Sequence, residues 1–485
     1  MSINPDNRSS MPRRFCFSGI RGMTLVIVFL TFCSGRCSSK QAVEERVTSY
    51  VAAQEDAKAG DGIREEPAAG EGAASKEEDG KEGVAGVAGE DEAKKPEKKS
   101  LVLAAAGDII MHGRVKGTAL AQAAEPTGEG DDGNEGWWHI FKMLGPVLEK
   151  ADLAVANLET PIATERKKSS GTPPILNGPA ASLGAMKKAG FTIMNAANNH
   201  AYDQMRDGAA ETVEAVRAAG MDCLGAGESR KVSETPLIRE ANGVKVAFMG
   251  WTVVLNKNFN DVKTKHKPWV NVYREELALE ALQAVRPEVD LIVVSMHWGG
   301  EFDMKVGAKQ KNITKKLCAG GADIIIGHGP HILHEVTMVT AGGEDDEKGG
   351  ESEAGEEGRT CLVAYSLGNI LSNQGLKYRY GWKPPNLTEA KNIPYTRDGI
   401  VLRVTVAKDE AGISFEAVEA VPMWTENNWL DRYTTGKVPP DDVTITPLMP
   451  VLEALPEKDK KRLLLEERLS IIKQMVGDGV TYVEI

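Results

Sequence analysis

The chain has 485 residues, 26% of them charged, and a formal net charge of −12 at pH 7. That charge is concentrated: Glu55–Glu92 holds 13 acidic and 4 basic residues and Gly342–Gly358 holds 8 acids and 1 lysine, which leaves about +4 for the remainder. No basic stripe or block marks a nucleic-acid surface, so nucleic acid is excluded as an expected partner.

At the N-terminus Arg13, Arg14 and Arg21 precede the apolar run Met23–Phe32, which is short for a membrane span and right for a signal-peptide core. We expect an exported, envelope-attached chain in which residues 1–39 are a signal peptide or a membrane or lipid anchor. Cys33 and Cys37 follow as lipidation candidates, although Phe32 and Arg36 are poor residues to precede a lipoprotein cleavage cysteine. Residues 40–99, rich in Ala, Gly, Glu and Lys, carry too little apolar surface to offset chain entropy and are expected to be a disordered linker. The same holds for the acidic insertion 341–359. Cys223, Cys318 and Cys361 stand alone in sequence, without metal-type doublets, and read as buried free thiols.

The folded region is expected over 100–430. LVLAAAGD from Leu101 and DLAVANLE from Asp152 are apolar strands that end in Asp108 and in Asn157 and Glu159. A short helix over Ala181–Ala189 leads to the strand of GFTIMNAANNHAYD, which ends in Asn199, His200 and Asp203. Asp207 is the expected N-cap of a helix over Ala209–Ala219. The strand Val244–Gly250 and a helix over Arg274–Val285, stopped by Pro287, continue the alternation. DLIVVSMHWGGE brings His297 and Glu301, a helix covers Ala308–Ala319, and ADIIIGHGPH brings His328 and His331. Beyond the insertion, Cys361–Asn369, Ile400–Lys408 and Ile413–Trp424 read as strands with few helices between them, and Pro447–Val476 as helix. The expectation is an α/β fold of two packed sheets with helices outside, followed by a C-terminal helical extension over 431–485.

Five strands thus deliver carboxylate, amide and imidazole groups to what would be one sheet edge, where ligands bind in open α/β folds. His112 follows Asp108 by four residues. Oxygen and imidazole ligands without thiolates suit Mn, Fe or Zn. The set Asp108, Glu159, Asn199, His297, His328 and His331 is large enough for two divalent ions, which can hold a phosphoryl oxygen and activate a water. His200 is the candidate general acid, with Asp203 orienting it. Asn157, Glu301 and Asn369 are candidate substrate contacts. Trp298 is expected to pack at the rim, and Ser366 lacks the strand-turn-helix pattern of a serine nucleophile.

The motifs GD, NLE, ANNHAYD, HWGGEF, GHGPH and YSLGN, in this order over roughly Leu101–Trp424, resemble the bacterial CapA/PgsA family of capsule-synthesis proteins. The resemblance implies a calcineurin-like metallophosphoesterase-type fold, a two-sheet α/β/β/α sandwich, and a link to synthesis or export of poly-γ-glutamate. It places Asp108 at the first aspartate, Glu159 at the bridging carboxylate, Asn199 and His200 at the Asn-His pair, His297 at the lone strand-end histidine, and His328 and His331 at the final pair. It also implies an anionic polymer or phosphoester as substrate and a membrane synthetase complex as partner. Three positions depart from the pattern: Ile110 replaces a histidine, Gly329 stands where relatives often carry another, and Met205 replaces a glycine. The site is therefore expected to be either a metal-dependent hydrolase or a binding or scaffold subunit that keeps the fold.

Overall fold

A computed structural model of the chain describes residues 98–124, 134, 136–164, 174–260, 268–342, 358–381, 393–431 and 438–484. The expectations for residues 1–97, and those for 343–357 within the insertion, lie outside the described residues. In chain order the strands are β1 (Lys99–Ile109), β2 (Leu153–Leu158), β3 (Ile193–Asn195), β4 (Asp222–Leu224), β5 (Ala226–Gly227), β6 (Leu237–Ala241), β7 (Val244–Thr252), β8 (Trp269–Val270), β9 (Leu291–His297), β10 (Ile324–His328), β11 (Val336–Ala341), β12 (Arg359–Ala364), β13 (Asn369–Leu371), β14 (Asp398–Asp409), β15 (Gly412–Asn427), β16 (Val443–Pro447) and β17 (Thr481–Tyr482).

Two sheets account for nearly all of them. One has the order β16-β15-β14-β1-β2-β3-β4, with β13 beside β1 and β17 beside β15; the other has the order β11-β12-β10-β9-β7-β6. The apolar runs of the central strands are continuous because both faces are covered. Leu101, Leu103 and Ala105 of β1 join Val244, Val246, Phe248, Ile324 and Ile326 in the core between the sheets. The alternate residues Ala104 and Ala106 turn outward and pack with Phe141, Leu144, Leu183 and Met186 of the overlying helices. Ala247, Met249 and Ile325 do the same on the other sheet, against Leu282 and Leu317. The period of two therefore builds both inner and outer cores, and the architecture is the expected α/β/β/α sandwich.

Several local expectations are corrected. Cys361–Asn369 is two strands rather than one: β12 belongs to the second sheet, and the chain then crosses to the first and continues as β13, parallel to β1. Gly368 allows the crossing, with φ +67° and its backbone against the carbonyl of Asp398. The helix expected from Ala209 spans Met205–Ala218 with Gln204 at its N-cap, so Asp207 lies in the first turn instead of capping it. Met205 has φ +61°, the conformation that accounts for glycine being expected there. Cys318 and Cys361 are joined as a disulfide between the helix Ala308–Ala319 and β12, and only Cys223 is a free thiol among the described residues.

The C-terminal segment is tied into this body. β16 extends the first sheet, and Leu448, Leu465, Ile472 and Val476 join the core between the sheets. Arg468, on the helix Lys460–Val476, is 1% exposed and donates through Nε to Asp398 Oδ1 at 3.0 Å, with a second contact from its terminal nitrogen to Oδ2. Trp424, Tyr378 and Tyr395 surround the guanidinium. No helix among the described residues is long and apolar enough to cross a membrane.

Candidate metal centre

The register of the two sheets lays out the site. Across the first sheet Asn195, Asn157, Asp108 and Asn369 are successive partners on β3, β2, β1 and β13. Across the second, Thr252, His297 and His328 are partners on β7, β9 and β10. The two rows meet at the carboxyl ends of the strands, where His328 Nδ1 is 3.5 Å from Asp108 Oδ1 and His297 Nε2 is 3.6 Å from Glu159 Oε1. His331 lies between the carboxylates, with Nδ1 3.0 Å from Asp108 Oδ2 and Nε2 3.5 Å from Glu159 Oε1. It holds this place at φ +60°, a backbone strain that clusters at functional sites. Gly329 (φ +105°) donates its N–H to Asp108 Oδ2 at 3.3 Å. A side chain there would meet His297, its Cβ 3.0 Å from the imidazole, so the missing histidine leaves room for another.

The donor set fits a cation. Asp108 and Glu159 are fully buried, and His297, His328 and His331 are nearly so. Glu159 Oε1, His297 Nε2, both ring nitrogens of His328 and Asn199 Oδ1 are buried without a hydrogen-bond partner. Each such atom costs about 1–3 kcal/mol if nothing completes it, and a metal ion would complete several at once. Ligand atoms of Asp108, Glu159 and His331 lie within 4.8 Å of one another. Burial opposes ionisation of Asp108, but the close approach of His328 and the hydrogen bond and charge of His331 outweigh it and hold the carboxyl well below its usual range. Burial likewise disfavours the His331 imidazolium, yet the Glu159 charge and the Asp108 hydrogen bond push its pKa up to about 9. The metal-free cluster is thus electron-rich enough to retain a proton where a cation would sit.

His200 and Asp203 form a separate pair beside this cluster. His200 Nδ1 is 2.7 Å from Asp203 Oδ2, which also accepts the Leu176 N–H at 2.7 Å. Burial lowers the His200 pKa, but the Asp203 hydrogen bond and the charges of Glu159 and Asp203 raise it on balance. Asn199 keeps its carbonyl on the Asn256 N–H at 2.9 Å and its side-chain oxygen unpartnered.

The three expected substrate contacts separate. Asn157 is fully buried with every polar atom used: Nδ2 donates to Asp108 Oδ1 at 2.8 Å and to Glu159 Oε2 at 3.2 Å, and Oδ1 accepts from Asn195 at 3.1 Å and Asn198 at 3.3 Å. It positions the carboxylates and has nothing left for a substrate. Asn369 adjoins Asp108 in register, but its amide nitrogen is committed to Ser372, Gln374 and Thr396. Glu301 is exposed at the rim, and its charge reaches His331. Trp298 is buried, donating to the Tyr365 carbonyl at 2.9 Å, rather than lying at the rim.

Asn195 and Asn198 belong to the polar cluster that ends β3 but are not expected as site residues; their signal in the sequence is the crowding of asparagines at that strand end. His112 is also here: burial first, then the charges of His331, His200 and Lys116, pull its pKa down to about 3. Its Nδ1 accepts the Asn373 N–H at 3.2 Å, so only Nε2 is free to take up the role of the histidine that Ile110 replaces.

Fold and site together define an α/β/β/α sandwich with a buried carboxylate-imidazole cluster, able to bind metal, at the carboxyl ends of its strands. Residues 102–374 match the family model described as bacterial capsule synthesis protein PGA_cap, and the chain belongs to that family. It is 29% identical over 286 residues to the capsule biosynthesis protein CapA of Bacillus anthracis, covering 58% of this chain and 61% of that one. It is 28% identical over 238 residues to the PGA biosynthesis protein CapA of Bacillus subtilis, covering 49% and 57%. The chain therefore spans about three fifths of these relatives. Among solved structures, the calcineurin-like phosphoesterase YfkN of Bacillus subtilis aligns at TM-score 0.33 and 11% identity, over 78% of this chain and all of that one, a likeness too slight to bear on the site.

Proposed function

We propose that the chain is an exported, envelope-attached, metal-dependent hydrolase that acts on an anionic polymer of the poly-γ-glutamate type, or on a phosphoester, during capsule synthesis or export. The observation that carries this reading is the convergence of unpartnered buried donor atoms from Glu159, His297 and His328 on the Asp108–His331 pair. Asp108, Glu159, His297, His328 and His331, with Asn199 beside them, would hold one or two Mn, Fe or Zn ions. Such ions polarise a substrate oxygen and lower the pKa of a bound water.

The protein's own contribution follows from the geometry. Asn157 fixes the carboxylates. His200, protonated more readily than a free imidazole, stores a proton for the departing oxygen, and Asp203 sets its ring orientation. The Cys318–Cys361 disulfide supports an oxidising, exported setting, and anchoring falls to residues 1–39.

A second reading, a non-catalytic polymer-binding or scaffold subunit of a membrane synthesis complex, is favoured by Ile110 and by the commitment of His112 Nδ1 to the backbone. Elemental analysis of the purified full chain and of its Asp108→Ala and His297→Ala variants, alongside a phosphodiester assay, separates the two. One to two equivalents of Mn, Fe or Zn, lost together with activity in both variants, supports the hydrolase. A folded protein that takes up no supplied metal and stays inert refutes it and leaves the scaffold.

A further inference from the structure

The segment after β7 is hydrogen-bonded to the backbone of the site residues His297, Asn199 and Asp203. Thr252 is paired in register with His297, and Val253 N–H donates to the His297 carbonyl at 2.9 Å. Thr252 Oγ1 closes the turn on the Val254 carbonyl at 2.6 Å. Asn256 N–H then reaches the Asn199 carbonyl at 2.9 Å. Phe259 meets Tyr202 edge-on, with ring centroids 5.6 Å apart. Between these ties stands Lys257, half-buried, with Nζ 3.4 Å from the carbonyl oxygen of Asp203, the residue that orients His200.

We propose that Lys257 is a substrate-binding residue, its ammonium group holding an anionic oxygen of the substrate beside the His200–Asp203 pair; this rests on the reading that the site takes an anionic substrate. Among the described residues no carboxylate pairs with Lys257, whereas Lys316, for example, lies 2.6 Å from Glu275. Its one acceptor among the described residues is a backbone carbonyl at the long end of hydrogen-bond range. An ammonium group without a paired carboxylate is available to form a charge-assisted hydrogen bond with a ligand anion. The nearby carboxylates are already engaged, Asp108 and Glu159 with imidazoles and Asn157, and Asp203 with His200 and Leu176. The anion assigned to Lys257 comes with the ligand, and its oxygen can belong to a phosphoryl group or to a free α-carboxylate of a γ-linked polyglutamate chain.

The test measures binding apart from turnover. Calorimetric titration of the manganese-supplemented full chain with inorganic phosphate, and separately with a γ-linked glutamate pentamer, gives one affinity for each probe. Lys257→Ala is expected to weaken at least one of them about tenfold, the effect of losing a charge-assisted hydrogen bond, and Lys257→Arg to restore most of it. The probe that loses affinity identifies the kind of anion. Unchanged affinity for both probes in Lys257→Ala, or binding of neither by the parent, overturns the proposal. If binding falls in the variant while the parent cleaves nothing, the assignment of Lys257 stands and the hydrolase reading fails. If the parent cleaves substrate and Lys257→Ala leaves KM unchanged, the reverse holds.

Discussion

Replacing Asn157 with alanine should weaken metal binding without removing a ligand. The Asn157 amide spans both carboxylates of the centre, at 2.8 Å to Asp108 and 3.2 Å to Glu159, and is itself fixed by Asn195 and Asn198. Its orientation is unambiguous, because turning the amide over would aim its oxygen at two carboxylates and its nitrogen at two donors. Hydrogen bonds to charged groups contribute about 1.5–3 kcal/mol each, and losing a partner that orients metal ligands typically costs about 10- to 100-fold in affinity. Asn157→Ala should therefore bind Mn or Zn about 10- to 100-fold more weakly in a competition titration against a calibrated chelator. Circular dichroism should show the fold retained. An unchanged metal affinity, accompanied by a raised KM, would show Asn157 to be a substrate contact after all.

Three further outcomes follow from other parts of the molecule. Arg468→Met should lower unfolding free energy by about 3–5 kcal/mol in urea titrations, since it leaves Asp398 buried without its partner, and an added Asp398→Leu should recover much of the loss. The Cys318→Ser, Cys361→Ser double variant opens a loop of sequence separation 43, for which chain entropy predicts a loss of about 4 kcal/mol, read by thermal unfolding with and without reductant. The third concerns pH. In the metal-free protein the His331 pKa stands at about 9 against an ordinary 6.5. The group therefore contributes stability that is fully present below pH 6.5 and lost as pH rises through 9. The shift is of order 3 kcal/mol and belongs to the same interaction that lowers Asp108, so it counts once. The melting midpoint of the metal-free protein should fall between pH 7 and 9.5, and His331→Gln should flatten that fall. An equal fall in the variant would refute the assignment.

Residues whose role depends on strand position could be read from the chain, and those whose role depends on three-dimensional commitment could not. Asp108, Glu159, His297 and His328 end apolar runs, and an apolar run that stops at a polar residue marks a strand end whatever its neighbours are. Asn157 and Glu159 share one strand end and one polar character, so their sequence positions could not show that the first spends its amide on the second. The Cys318–Cys361 pairing was hidden for a related reason. The cysteines lie on a helix and on the strand beneath it, 5.7 Å apart between Cα atoms, a proximity created by packing the helix Ala308–Ala319 onto the sheet. The sheet change at Tyr365–Gly368 was missed because the residues on either side are equally apolar: Leu362 and Leu367 lie in the core between the sheets and Ile370 in the outer core of the first sheet. Hydrophobic periodicity records that a residue is covered and not which sheet covers it. That crossing also places Gly368 O on the Asp108 N–H at 2.9 Å, so an element illegible in the sequence helps to hold the aspartate that was the plainest feature of it.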